Sequence, residues 1–177
     1  TVGIRVDANQ GYNKDDLIRF IENTEKHNIE LIEQPFPREL DSQMQDLPKL
    51  IRDKCAADES LHSPDDALQL AKSPHYFGIY NIKLMKCGGL SSAKKIAETA
   101  NKNGIDLMWG CMDESIVSIS AAIHIALSSP STKYLDLDGS FDLAKDIASG
   151  GFKLMNGKLM PTMKPGLGVD LNDKVLA

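Results

Sequence analysis

The sequence predicts an α/β protein built as a (β/α)8-type TIM barrel, of which about six βα units are present. Three observations carry this. Short β-branched or apolar runs alternate with amphipathic stretches about a dozen residues long. The unit recurs about every 25 residues, with no linker or low-complexity segment between units. Successive strand runs end on a polar residue, at the end of the strand where barrel enzymes keep their active sites.

Residues 2–8 form the first strand, with Ile4, Val6 and Ala8 on one face and Arg5, Asp7 and Asn9 on the other. The helix predicted over 15–27 sets Leu17, Ile18 and Ile21 against Asp15, Asp16, Arg19 and Glu22. Strand 30–34 follows, then helix 43–53 and strand 54–58. Helix 64–72 opens on Ser63-Pro64-Asp65-Asp66, a cap, a proline at the first position and acids in the first turn. In strand 78–84, Asn81 and Lys83 face away from Ile82 and Leu84, and helix 91–103 stops at Asn103-Gly104. Strand 106–112 leads to helix 115–128, whose inner stripe is Ile116, Ile119, Ile123 and Leu127. Strand 133–138 places Asp136 and Asp138 opposite Leu135 and Leu137, and a shorter helix is expected over 141–148. Six units in a chain that begins within a strand imply that two upstream units lie outside it. A doubly wound sheet is the alternative, but Lys86-Cys-Gly-Gly-Leu90 lacks the spacing of a dinucleotide fingerprint, which would follow the first strand.

The chain has 177 residues, 42% of them hydrophobic, enough to bury a sizeable core. Its net charge of −5 is spread over both signs without a basic run, which argues against nucleic acid or an anionic membrane surface and for a small-molecule partner. No segment approaches membrane-spanning length. The three cysteines, Cys55, Cys87 and Cys111, are far apart and fit reduced thiols in a cytoplasmic protein.

Asp7, Glu33, Asp58 and Lys83 fall at the ends of four successive strands, about 25 residues apart. Three hard carboxylates converging on one point suit Mg²⁺, which takes oxygen ligands and leaves positions open for substrate. Each acid alone would serve equally as a helix cap; the recurrence of one per unit sets the group apart. Lys83, beside a divalent cation and inside the barrel, is expected to have a lowered pKa and to accept a proton near neutral pH, unless it is simply paired with one of the acids. Lys86, past the strand end, is expected to face solvent. None of His27, His62, His75 and His124 shares a motif that points to catalysis.

Val6-Asp-Ala-Asn-Gln-Gly-Tyr12, Ile32-Glu-Gln-Pro35, Ala57-Asp-Glu-Ser60 and Asn81-Ile-Lys-Leu84, in this order across essentially the whole chain, resemble the muconate-lactonizing subgroup of the enolase superfamily. The resemblance implies that Asp7, Glu33 and Asp58 ligate Mg²⁺ and that Lys83 is one of two acid/base lysines flanking the substrate carbon. The family's other lysine belongs to a Lys-x-Lys strand that precedes the one carrying Asp7. Tyr134-Leu-Asp-Leu-Asp-Gly139 resembles the Asp-x-Asp element of dipeptide epimerases, in which the acids hold a substrate ammonium; here Asp136 and Asp138 could alternatively cap the next short helix. Glu114 occupies a pocket position in the subgroup, or favours the helix N-terminus that follows it. Asn9, Glu59 and Asn81 stand behind these groups as orienting residues. Residues 1–177 then form the C-terminal part of the catalytic barrel, with Gly166-Leu-Gly-Val-Asp170 returning toward a capping domain.

The expected activity is Mg²⁺-dependent epimerisation of a dipeptide, of the L-Ala-D/L-Glu type, by 1,1-proton transfer through an enediolate, in a possible homo-oligomer. The 177 residues alone are not expected to catalyse it, because the second lysine is not among them. A cycloisomerase or o-succinylbenzoate synthase of the same subgroup, or a non-catalytic truncated barrel, is the alternative.

Overall fold

A computed structural model describes residues 2–172. Six parallel strands lie side by side in chain order in one sheet: β1 (Ile4–Asp7), β2 (Ile29–Glu33), β3 (Cys55–Ala57), β4 (Ile79–Ile82), β5 (Asp106–Trp109) and β6 (Thr132–Leu135). The sheet curls. Arg5 on β1 donates to the Leu135 carbonyl on β6 over 3.2 Å, and its guanidinium carbon lies 4.9 Å from the centre of the Tyr134 ring, so the two sheet ends approach across the interior. This is a partial (β/α)8 barrel.

Period-two alternation sorts the strand residues into two apolar layers. Leu31, Ala56, Ile79, Met108 and Tyr134, one from each of β2 to β6, form the interior cluster. The opposite faces, including Ile32, Cys55, Tyr80, Leu107 and Trp109, pack beneath the helices in the larger cluster. Each large side chain buried there stabilises the fold by about 1.5–3 kcal/mol.

The helices are α1 (Lys14–Asn23), α2 (Lys49–Arg52), α3 (Pro64–Leu70), α4 (Leu84–Cys87), α5 (Leu90–Lys102) and α6 (Ile116–Ser128). Asn13 caps α1 in a reciprocal box with Asp16, and Ser63 caps α3 with Pro64 at its first turn. Four expectations are corrected. Residues 43–53 are not one helix: a 3-10 turn (Arg38–Asp46) ends before Pro48, which starts the short α2, because proline cannot donate within a helix interior. Residues 141–148 are not helical either, since only a 3-10 turn (Gly139–Phe141) forms before the chain enters strand β7 (Ala148–Gly150). Leu127 is 68% exposed, on the side of α6 that overlooks the free edge of β6. Finally, α4 is an additional single turn immediately after Lys83; Gly88 and Gly89, with φ of 84° and 98°, end it and start α5.

Beyond the sheet, β7 pairs with β10 (Val169–Leu171), and β8 (Phe152–Met155) pairs with β9 (Lys158–Pro161). The β8–β9 hairpin turns on Asn156-Gly157, both with positive φ, a dipeptide suited to a two-residue turn. Among the described residues no helix is long and apolar enough to cross a membrane, and Cys55, Cys87 and Cys111 are free.

Candidate active site

The strand register brings the chemistry to one end of the sheet. Asp7 pairs with Glu33 across β1 and β2; Glu33 pairs with Ala56, so Asp58 projects on the same face one step further along. Asn81 ends up beside Glu33, its Nδ2 donating to Glu33 Oε1 over 2.6 Å. Lys83 Nζ donates to Asp58 Oδ2 over 2.8 Å and lies 3.7 Å from Glu33 Oε1. Glu33 and Asp58 are each only 7% exposed, whereas Asp7, on the edge strand, is exposed. Gly110, at the end of β5, leaves room for this arrangement: a Cβ there would meet Asn81 Oδ1 at 2.6 Å and Lys83 Cε at 3.0 Å.

Electrostatics follow from crowding. Burial and the charge of Asp58, with Asp7 adding to them, push Glu33 up to about 7 against the opposing Asn81 hydrogen bond and Lys83 charge. Burial opposes ionisation of Asp58 too, but Lys86 and Lys83 outweigh it and hold its pKa below the usual range. Lys83 takes the alternative left open for it and pairs with an acid. Burial favours its neutral form, yet the Asp58 hydrogen bond and the charges of Asp58, Glu33 and Asp7 keep it charged, with a raised pKa.

Lys86 also contradicts its expected solvent-facing position. The turn of α4 swings it back over the strand ends, where its side chain is 7% exposed and bonds to the Asp58 carboxylate, the Asp58 carbonyl at 2.6 Å and the Asn81 carbonyl at 3.3 Å. The other residue missed in the sequence is Gln34, which is fully buried and bonds into the β3 loop.

The orienting candidates divide. Asn9, in a left-handed turn after β1, donates its backbone N–H to Asp7 Oδ1 over 2.8 Å, while buried Oε2 of Glu59 has no partner among the described residues. Glu114 is 2% exposed and spends both carboxylate oxygens locally, accepting from the Met112 N–H at 2.9 Å and from the Ser118 hydroxyl. These bonds tie Glu114 to the β5–α6 loop and to the first turn of α6. Asp136 and Asp138 are exposed beyond β6, with Leu137 between them 4% exposed and pointing the other way. Asp138 precedes the 3-10 turn without a side-chain cap bond, which removes the capping alternative for it. Cys111 Sγ approaches the Asp136 carbonyl at 3.3 Å and accepts from the Gly139 N–H at 3.3 Å, pinning the loop that carries both acids.

As these side chains lie, the three acids do not form a ready ligand set. Among the described residues no three His, Cys, Asp or Glu groups gather to hold an ion, because Asp58 is drawn to two ammonium groups and Asp7 folds onto Asn9. The donors still suit a hard divalent cation. They are carboxylate oxygens on adjacent strand ends, and the crowding that raises Glu33 is the charge such an ion would relieve. A cavity of about 490 Å³ lies beside β6, with Asp136 and Asp138 at its rim and mostly apolar walls that include Leu127, Leu135 and Leu154. None of Asp7, Glu33, Asp58 or Lys83 lines it, so it is separate from the carboxylates.

Residues 1–175 match the family model described as "Enolase C-terminal domain-like". An L-Lys-D/L-Arg epimerase of Methylococcus capsulatus is 57% identical over 166 residues, spanning 94% of this chain and 47% of the relative. Two crystal structures of a dipeptide epimerase from Methylococcus capsulatus superpose closely. One, complexed with Mg ion, has a TM-score of 0.93 at 56% identity and covers 97% of this chain and 50% of its own. The other, complexed with Mg and the dipeptide L-Arg-D-Lys, has a TM-score of 0.92 at 56% identity and covers 95% and 48%. The chain thus spans about half the length of the curated relatives it matches.

Proposed function

Because the chain belongs to the enolase C-terminal domain-like family, we propose that it forms the C-terminal part of the catalytic barrel of a Mg²⁺-dependent dipeptide epimerase. Residues 1–177 supply the strands from the one carrying Asp7 onward, and Gly166-Leu-Gly-Val-Asp170 leads toward a capping domain; β10 within it lies against β7, while residues 173–177 lie outside the described residues. The observation that carries the reading is the Lys83 ammonium, 16% exposed, poised between Asp58 and Glu33 on the inward face.

Asp7, Glu33 and Asp58 would hold the Mg²⁺, which when bound stabilises negative charge on the substrate carboxylate as the α-proton leaves. Lys83 handles the proton on one face of the α-carbon. Asp58 and Glu33 keep it charged here, so it stands ready as the acid, and it becomes a base once Asp58 is engaged elsewhere. A second lysine, contributed from outside this chain, serves the opposite face, so removal on one side and return on the other inverts the centre. Asp136 and Asp138 receive the substrate ammonium and fix the α-carbon between the bases. A cycloisomerase or synthase substrate has no cation for them.

We assign a cationic dipeptide as substrate instead of the Ala-Glu type, on the L-Lys-D/L-Arg activity of the 57% identical relative and on the exposed Asp113 beyond β5, an acid that the α-ammonium does not engage. The test is a dipeptide library offered to the complete protein in D₂O with Mg²⁺. Lys- and Arg-containing dipeptides should take up α-deuterium and epimerise at least about tenfold faster than Ala-Glu, a difference of about 1.4 kcal/mol in transition-state binding. Absence of exchange with every dipeptide would remove the epimerase reading; preference for Ala-Glu would remove only the cationic assignment.

A further inference from the structure

Gln34 follows Glu33 in a left-handed conformation, φ 32°, with its side chain completely buried. Its amide uses both ends. Oε1 accepts from the backbone N–H of Asp58 at 2.9 Å and of Ser60 at 3.2 Å. Nε2 donates to Ser60 Oγ at 2.8 Å and to the Phe36 carbonyl at 2.9 Å. Its backbone joins the neighbouring strands as well, the N–H donating to the Ala56 carbonyl at 2.9 Å and the carbonyl accepting from the Gln10 N–H at 2.7 Å. One residue therefore ties the loop after β1, the end of β2 and the end of β3. The carboxylates at the ends of β2 and β3, Glu33 and Asp58, are its chain neighbour and the residue whose amide it holds.

We propose that Gln34 is a positioning residue that fixes the spacing and orientation of Glu33 relative to Asp58, and so sets the affinity of the pair for a divalent cation. The proposal rests on the Mg²⁺-dependent reading above. Neutrality matters: Lys86 also grips Asp58, but its charge repels a cation while its bonds orient the acid, whereas Gln34 acts through geometry alone. Glutamine is also long enough to cross to β3 and has the acceptor and donor that the Asp58 amide and the Phe36 carbonyl require.

The test compares Gln34→Met with Ser60→Ala in the complete protein. The first removes every side-chain bond to Asp58 and Ser60 at nearly constant volume; the second trims the same network while leaving Oε1 on Asp58. Both should lower the melting temperature. Calorimetric titration with Mg²⁺ alone should show a Kd raised about 10–100-fold in Gln34→Met, the usual cost of losing an outer partner of a ligand, and unchanged within about twofold in Ser60→Ala. At saturating Mg²⁺, kcat of Gln34→Met should return to within about threefold of the unmodified protein. Unmodified Mg²⁺ affinity in Gln34→Met, or losses in both variants that track their melting temperatures, would overturn the proposal. If Gln34→Met does not fold, hydrogen exchange in the unmodified protein decides: Asp58 and Ser60 amides that are protected, and slowed about tenfold further by Mg²⁺, support it, and amides indifferent to Mg²⁺ overturn it. Failure of the unmodified protein to bind Mg²⁺ would instead bring down the functional reading itself.

Discussion

Lys83→Ala in the complete protein is expected to abolish epimerisation, lowering kcat by at least about 10²–10⁴-fold, the range a positioned acid/base group contributes. The fold should survive the change. Asp58 keeps its bonds from Lys86, and Glu33 keeps the Asn81 amide at 2.6 Å, so the carboxylates retain partners that hold them in place. The loss should also be one-sided. On the proposed mechanism Lys83 serves one face of the α-carbon and the second lysine the other, so the α-proton of one stereoisomer should still exchange with D₂O while that of the other does not. NMR of each purified dipeptide diastereomer in D₂O reads this directly. Epimerisation at the unmodified rate would remove Lys83 from the chemistry, and equal loss of exchange for both diastereomers would mean that it supports the site without serving one face.

Asp136→Asn or Asp138→Asn should lower kcat/KM for a free dipeptide roughly 10–100-fold, the lower part of the range for truncating one member of a charge pair, because both acids are exposed and partly screened. Calorimetric Mg²⁺ affinity should not change, since neither acid belongs to the Asp7, Glu33 and Asp58 group. An N-acetylated dipeptide has no ammonium to lose. It should be a poor substrate for the unmodified protein and should be almost insensitive to either substitution. Equal turnover of free and acetylated dipeptides would show that these acids do not read the ammonium, and would favour a cycloisomerase or synthase reading.

The sequence revealed which residues share a face more reliably than where elements end. Alternation with period two holds through a strand and the residue or two beyond it, so Asp7, Glu33, Asp58, Asn81 and Lys83 could be assigned to one side although Asp58 and Lys83 lie past the ends of β3 and β4. Lys86 was misplaced because a one-turn helix has no periodicity to detect; the positive-φ pair Gly88-Gly89 was its only trace. Pro48 was the visible signal against helix 43–53, and Asn156-Gly157 was the signal for the β8–β9 hairpin. Gln34 and the charge state of Lys83 depend on groups about 25 residues away in sequence, contacts that no local pattern encodes.

Asp7, Glu33 and Asp58 are proposed to act together on one cation, although here Asp58 is drawn to Lys83 and Lys86 and Asp7 to Asn9. A crystal structure of the complete protein with Mg²⁺ and a Lys- or Arg-containing dipeptide tests it most directly. One ion is expected about 2.0–2.1 Å from an oxygen of each of the three acids, with Lys83 withdrawn from Asp58 toward the substrate α-carbon. Mg²⁺ held elsewhere, with Asp58 still gripped by both lysines and Asp7 turned to solvent, would contradict it.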